Sequence, residues 1–211
     1  MEMLDIFDAQ MNHIGVAERN EVHTKGFWHK TFHCWIVRKN EKNGSVIFQI
    51  RDKSKDSAPN KLDITAAGHL QAGEQPKDGL RELREELGVN IDYSLLKFLG
   101  IRITASENKG KINKEFAHVY MFQDDRPLEN YTLQDNEVSG LVEISIADGL
   151  KLCAGEISSI KCPVLRRFDK KAVISFEDIK FEYFIPRIDS YYYKIFIMAE
   201  RLLNSNPYIC I

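Results

Sequence analysis

Residues 68–89 read G-H-L-Q-A-G-E-Q-P-K-D-G-L-R-E-L-R-E-E-L-G-V, a glycine-rich loop running into a segment with helical periodicity. Leu80, Leu83 and Leu87 recur at i, i+3 and i+7, so the pattern predicts an amphipathic helix over 76–87 that Gly88 stops. Glu82, Glu85 and Glu86 stand at i, i+3 and i+4 on the other side, where their carboxylates are expected to share one exposed patch. Like charges at that spacing repel by roughly a few tenths of a kcal/mol per pair. A divalent cation reverses the sign. Hard ions such as Mg2+ take carboxylate oxygens, water and phosphate oxygens together, so the segment reads as a metal site.

Outward from this segment, residues 62–67 form a short predicted strand that delivers the chain into the loop. Before it, 31–38 and 45–51 read as a strand pair around the turn-rich K-N-E-K-N-G, and 52–61 as polar loop. The first residues predict two short strands around an Asn/His/Gly turn, then a short helix near 20–25. Downstream, 98–105 and 115–123 predict an antiparallel pair joined by a mobile S-E-N-K-G-K-I-N-K segment, and 138–144 a further strand. Beyond Ile146 the pattern reads as helical in pieces, with Ser190 opening a last helix through Leu203. The three tyrosines 191–193 read as packing or a dimer surface.

Composition bounds the reading. With 211 residues, 44% of them hydrophobic and 28% charged, the chain suffices for one sizeable core. No run of about 18 apolar residues occurs, and the N-terminus is acidic, so neither a membrane span nor a secretory signal is expected and the cytoplasm is the default. A net charge of −2 gives no general pull on nucleic acid. Cys34, Cys153, Cys162 and Cys210 show no metal or disulfide spacing and read as reduced thiols. A symmetric dimer is the generic expectation for oligomeric state.

Gly68, Glu74, Arg81, Glu82, Leu83, Glu85, Glu86, Gly88 and Val89 together resemble the Nudix box. Only six residues, 75–80, lie between Glu74 and Arg81 where the usual pattern has seven, so the loop is one residue short. A second resemblance, over residues 19–143, is to isopentenyl-diphosphate isomerases, which share the Nudix fold. His23, His29 and His69 match that family's metal-binding histidines, Glu115 matches a strand glutamate, and Arg19, Arg51 and Lys55 match its diphosphate-holding residues. The chemistry residues do not match. Ala67 stands at the catalytic cysteine position, Asn113 at the first strand glutamate and Glu143 where a tryptophan is expected, so alkene protonation lacks its acid and its aromatic face.

These resemblances imply an α+β fold: a Nudix α/β/α sandwich with a mixed, curved sheet. One domain is expected, with an N-terminal β extension over 1–30, the core over 31–165 and a C-terminal helical segment over 166–211 packed on it. They imply a Mg2+- or Mn2+-dependent pyrophosphohydrolase that cleaves a nucleoside or other organic diphosphate by attack of metal-activated water on phosphorus. Glu82, Glu85, Glu86 and the Gly68 carbonyl would hold the ion, with Arg81 orienting the glutamates by ion pairing. Glu85, Glu86, Glu115 and Glu137 are candidate bases, Glu115 first. His23, His29 and His69 form a candidate second metal or phosphate site, and Arg51, Lys55 and Arg19 would bind the substrate. The alternatives are an isomerase-like enzyme for prenyl diphosphates and a non-catalytic nucleotide sensor. The partner expected is a small-molecule diphosphate.

Overall fold

In the computed structural model, residues 1–40, 43–55, 57–108, 110–168 and 171–211 are described, and their strands join one mixed, curved sheet. Its backbone is the series β11-β10-β9-β4-β3-β1-β2, from which β5, β6, β7 and β8 branch. The strands are β1 (Met3–Phe7), β2 (His13–Glu18), β3 (Trp28–Arg38), β4 (Ser45–Arg51), β5 (Leu62–Asp63) and β6 (Ala66–His69). They continue with β7 (Lys97–Asn108), β8 (Lys111–Gln123), β9 (Val138–Ser145), β10 (Ile160–Phe168) and β11 (Lys171–Ile179). The helices are α1 (Arg19–Lys25), α2 (Leu80–Leu87), α3 (Ile146–Cys153) and α4 (Tyr191–Leu203). Strand β3 runs parallel to β8 and antiparallel to β4 and β6, which makes the sheet mixed.

The period of two along β3 sends alternate side chains to two layers of core. Phe32, Cys34 and Ile36 pack with Leu83 and Leu87 of α2, whereas Trp35 and Val37 pack with Ile195 and Phe196 of α4. Helices on both faces give the sandwich its three layers. Helix α2 is preceded by a 3-10 turn, Pro76–Gly79, and ends where Gly88 adopts φ 66, a left-handed conformation that closes the helix at little cost only for glycine. Tyr191, Tyr192, Ile195, Phe196, Met198 and Ala199 line the buried side of α4, whose start Ser190 precedes without a side-chain capping bond. Tyr193 alone of the three tyrosines turns outward.

Three expectations need correction. The segment 166–211 is not helical throughout: β10 and β11 form a hairpin that extends the sheet beyond β9, and α4 is its only α-helix among the described residues. Cross-strand pairing, including a two-pronged Arg166–Glu177 ion pair at 2.7 and 2.8 Å, is what local periodicity did not show. The segment expected as a mobile connection is instead strand as far as Asn108 and again from Lys111. The single strand 62–67 is split into β5 and β6, because Thr65 between them turns its hydroxyl onto the Ile47 carbonyl and accepts from the Ile36 amide at 3.1 Å.

Candidate metal and diphosphate site

Helix α2 lies along β6, and this contact decides where each carboxylate points. Glu82 and Glu86, one turn apart, face the strand; Glu85 faces solvent. The expected common exposed patch is therefore wrong for two of the three: the side chains of Glu82 and Glu85 are 12% and 43% exposed, and Glu86 is buried. Glu82 lies so close to Gly68 that a Cβ there would stand 2.2 Å from its carboxylate, and only glycine leaves that space. Glu86 Oε2 accepts weak hydrogen bonds from the Ala67 amide at 3.3 Å and Gln49 Nε2 at 3.4 Å. Burial pushes the Glu86 carboxyl well above its usual range, with the Glu82 charge adding to the effect, and burial likewise raises Glu82.

Arg81 is the hub of the cluster. Its guanidinium pairs with Glu74 at 3.4 Å, Glu82 at 2.9 Å and Glu85 at 3.1 Å, and it also donates to the His69 carbonyl at 3.4 Å. Glu74, despite the shortened loop, divides its carboxylate between Arg81 and the Gln71 amide at 2.8 Å. Its role here is to hold the turn and the arginine.

Close to this cluster, His23, His29 and His69 bring one ligand nitrogen each to within 4.8 Å of the others. In every ring Nδ1 already faces an acceptor: the Arg19 carbonyl at 2.8 Å from His23, the Phe27 carbonyl at 3.1 Å from His29, and Glu2 Oε1 at 3.1 Å from His69. An acceptor there requires Nδ1 to carry the proton, which leaves Nε2 as the free nitrogen in the neutral ring. His29 Nε2 is buried without a hydrogen-bond partner. Burial lowers the pKa of His23 and brings that of His29 to about 4, so both are neutral at pH 7. Free nitrogens of neutral imidazoles suit a borderline dication.

A family model described as the NUDIX domain matches residues 28–157. The chain belongs to the Nudix family. It is 40% identical over 205 residues to an uncharacterized Nudix hydrolase of Clostridium acetobutylicum, covering 94% of this chain and 96% of that one. It is also 27% identical over 149 residues to the isopentenyl-diphosphate Delta-isomerase of Aliivibrio fischeri, covering 70% of this chain and 82% of that one. Among solved structures, DR0079 from Deinococcus radiodurans shares the fold with a TM-score of 0.54 at 21% identity, over 73% of this chain and 90% of that one. The chain is thus a Nudix hydrolase acting on diphosphate bonds.

Around this Nudix centre the other expected residues fall into place unevenly. Glu115 is adjacent in register to His29 and accepts from Thr104 Oγ1 at 3.3 Å. Burial alone would raise its pKa, but His33, a hydrogen bond from Asn113 and His29 outweigh that and bring it to about 2. Glu115 thus belongs with the histidines. Glu137, whose charge adds to the upward push on the Glu86 carboxyl, is held by Lys55 in a close ion pair. Arg51 is engaged by Asp63 at 3.1 Å and the Ser57 carbonyl at 3.0 Å, and Arg19 by Glu2 at 3.0 Å, so neither guanidinium is free as it stands. Glu143 is occupied by Arg38 at 2.5 Å and Ser45 at 2.6 Å. Sequence reasoning missed Glu2, Gln49 and Asp63, since a lone acid or amide outside any motif carries no local signal.

Proposed function

We propose that this Nudix hydrolase is a Mg2+-dependent pyrophosphohydrolase whose substrate is a nucleoside or other organic diphosphate. The observation that carries this reading is Glu86: a buried carboxylate, raised by burial and by Glu82, with only two long hydrogen bonds to hold its charge. Such a group is costly unless a cation joins it. Glu82, Glu86 and the Gly68 carbonyl would hold the ion, with Glu85 at the open edge. Bound there, Mg2+ supplies positive charge to the phosphoryl oxygens and makes water easier to deprotonate. The protein's own part is positioning: Arg81 keeps three carboxylates oriented, and Gly68 lets Glu82 approach the backbone. Lys55 exchanges Glu137 for a substrate phosphate, which frees Glu137 to take the proton of the attacking water.

The histidine cluster is read as a second metal site, for a nitrogen-preferring dication such as Zn2+ or Co2+, with Glu115 beside it. That cluster is what favours the second reading, an isomerase-like enzyme. Against it stand Ala67, which has no proton to give, and Glu143, which is tied into an ion pair where an aromatic face would be needed.

Incubation with a panel of organic diphosphates and Mg2+ in deuterated water separates the two. Hydrolysis releases phosphate-bearing fragments; isomerisation leaves the diphosphate whole and places deuterium in the alkene. Deuterium incorporation without fragment release overturns the hydrolase reading.

A further inference from the structure

We infer that Glu2 is a positioning residue for the histidine cluster: its carboxylate fixes the His69 ring with the proton on Nδ1 and the lone pair of Nε2 turned toward His23 and His29. The inference rests on reading that cluster as a metal site, and adds how one of its ligands is aimed.

The three rings are oriented in two different ways. His23 and His29 hand their Nδ1 protons to main-chain carbonyls of Arg19 and Phe27, acceptors that come with the turn of chain carrying the ring itself. His69 uses instead a side chain remote in the sequence, that of Glu2 just before β1, with Oε1 at 3.1 Å. A carboxylate acceptor does more than fix the tautomer, because it makes the opposite ring nitrogen a stronger donor to a cation.

Glu2 is held where this contact needs it. The Arg19 amide donates to the Glu2 carbonyl at 3.0 Å, and Arg19 Nη1 donates to Glu2 Oε2 at 3.0 Å, leaving Oε1 for the imidazole. One residue on, the Met3 carbonyl accepts from the Ala72 amide at 2.8 Å, and Leu4, fully buried, bridges to Gln71. Strand β1 is thereby stitched to the loop that leaves His69, and Ile6 pairs in register with His29. The N-terminal hairpin touches two of the three candidate ligands. Arg19 acts in this arrangement by holding Glu2 and not as a hand for diphosphate.

The test uses the full chain and Co2+ alone as probe. Tetrahedral nitrogen-ligated Co2+ gives strong visible bands, whereas oxygen-only sites give weak ones, so the histidine cluster is read separately from the glutamates. The parent is expected to develop the strong bands and His29→Ala to lose them. Glu2→Ala should weaken Co2+ binding roughly 10- to 100-fold, with Glu2→Gln between it and the parent. Arg19→Ala should do less, since the carboxylate remains. Long-range 1H–15N spectra of the metal-free protein at about pH 8, above the ordinary imidazole range, give an independent readout. His69 should carry its proton on Nδ1 in the parent and shift toward the Nε2-protonated form in Glu2→Ala. An unchanged Co2+ titration in Glu2→Ala, or His69 protonated on Nε2 in the parent, overturns the role of Glu2 and leaves the metal site standing. Identical weak spectra for the parent and His29→Ala overturn the metal site, and the role of Glu2 with it.

Discussion

Glu86 Oε2 lies 3.3 Å from the Ala67 backbone nitrogen, so the last glutamate of the box helix is tied to the strand that carries Gly68. The bond holds a carboxylate in a buried place and aims it along the edge of β6. A cation binding there gains an oriented ligand whose desolvation is already complete.

Glu86→Gln is expected to lower kcat at least about a hundredfold, on the order of 3 kcal/mol, with Glu85→Gln losing a comparable amount. The two should differ in stability. Removing a buried acid leaves the metal-free Glu86→Gln protein as stable as the parent or more so, and Mg2+ should raise the Tm of the parent but not of that variant. Steady-state kinetics and thermal melts with and without Mg2+ decide it, and a parent rate in either variant would rule out the glutamates as ligands.

Gly68→Ala places a methyl group 2.2 Å from the Glu82 carboxylate. The end of a glutamate can swing aside, so the fold should lose no more than about 1 kcal/mol. Turnover should fall about a hundredfold as the displaced carboxylate leaves its place. A variant with parental kcat would show that Glu82 is not needed where it lies.

Tyr191 Oη accepts from Trp35 Nε1 at 3.0 Å and bonds His33 Nδ1 at 3.2 Å, deep between β3 and α4. Tyr191→Phe leaves both ring nitrogens without that partner in a buried place. Urea unfolding should show a loss of about 2 kcal/mol, within the range for buried groups left unsatisfied. A loss too small to measure would mean that neither bond persists in solution.

His33 gives a pH dependence of definite sign. Burial lowers its pKa from 6.5 to about 4, so between those values the unfolded chain binds a proton that the folded chain refuses. Its contribution to stability is therefore complete above pH 6.5 and is lost as the pH falls toward 4. The slope is ~1.4 kcal/mol per pH unit for one proton. His33→Gln should remove that slope. Unfolding free energies of parent and variant, measured with a chelator present, should converge across the window as the pH falls; parallel curves would refute the burial argument.

Much of the site was legible because it is local. Leu80, Leu83 and Leu87 announce α2, Gly88 ends it, and the glutamates at 82, 85 and 86 repeat with the helix, so neighbours in the chain carry the signal. The strand pairs around β3, β4, β7, β8 and β9 were legible for the same reason. The β10–β11 hairpin was not, because Lys171–Ile179 gains its strand character from its pairing with β10. Nor was the burial of Glu86, since periodicity gives a residue's side of the helix but not what lies against that side.

The sequence by itself determined the Nudix box and the helix that bears it, because both are a matter of residue type at short spacing. Only the tertiary structure decided that Glu86 is enclosed while Glu85 is open, that Lys55 pairs with Glu137, and that Glu2 reaches His69. Those relationships depend on β6 lying between β3 and α2, and on β1 closing over the loop after His69. Contacts between segments far apart in the chain leave no periodic trace in either segment.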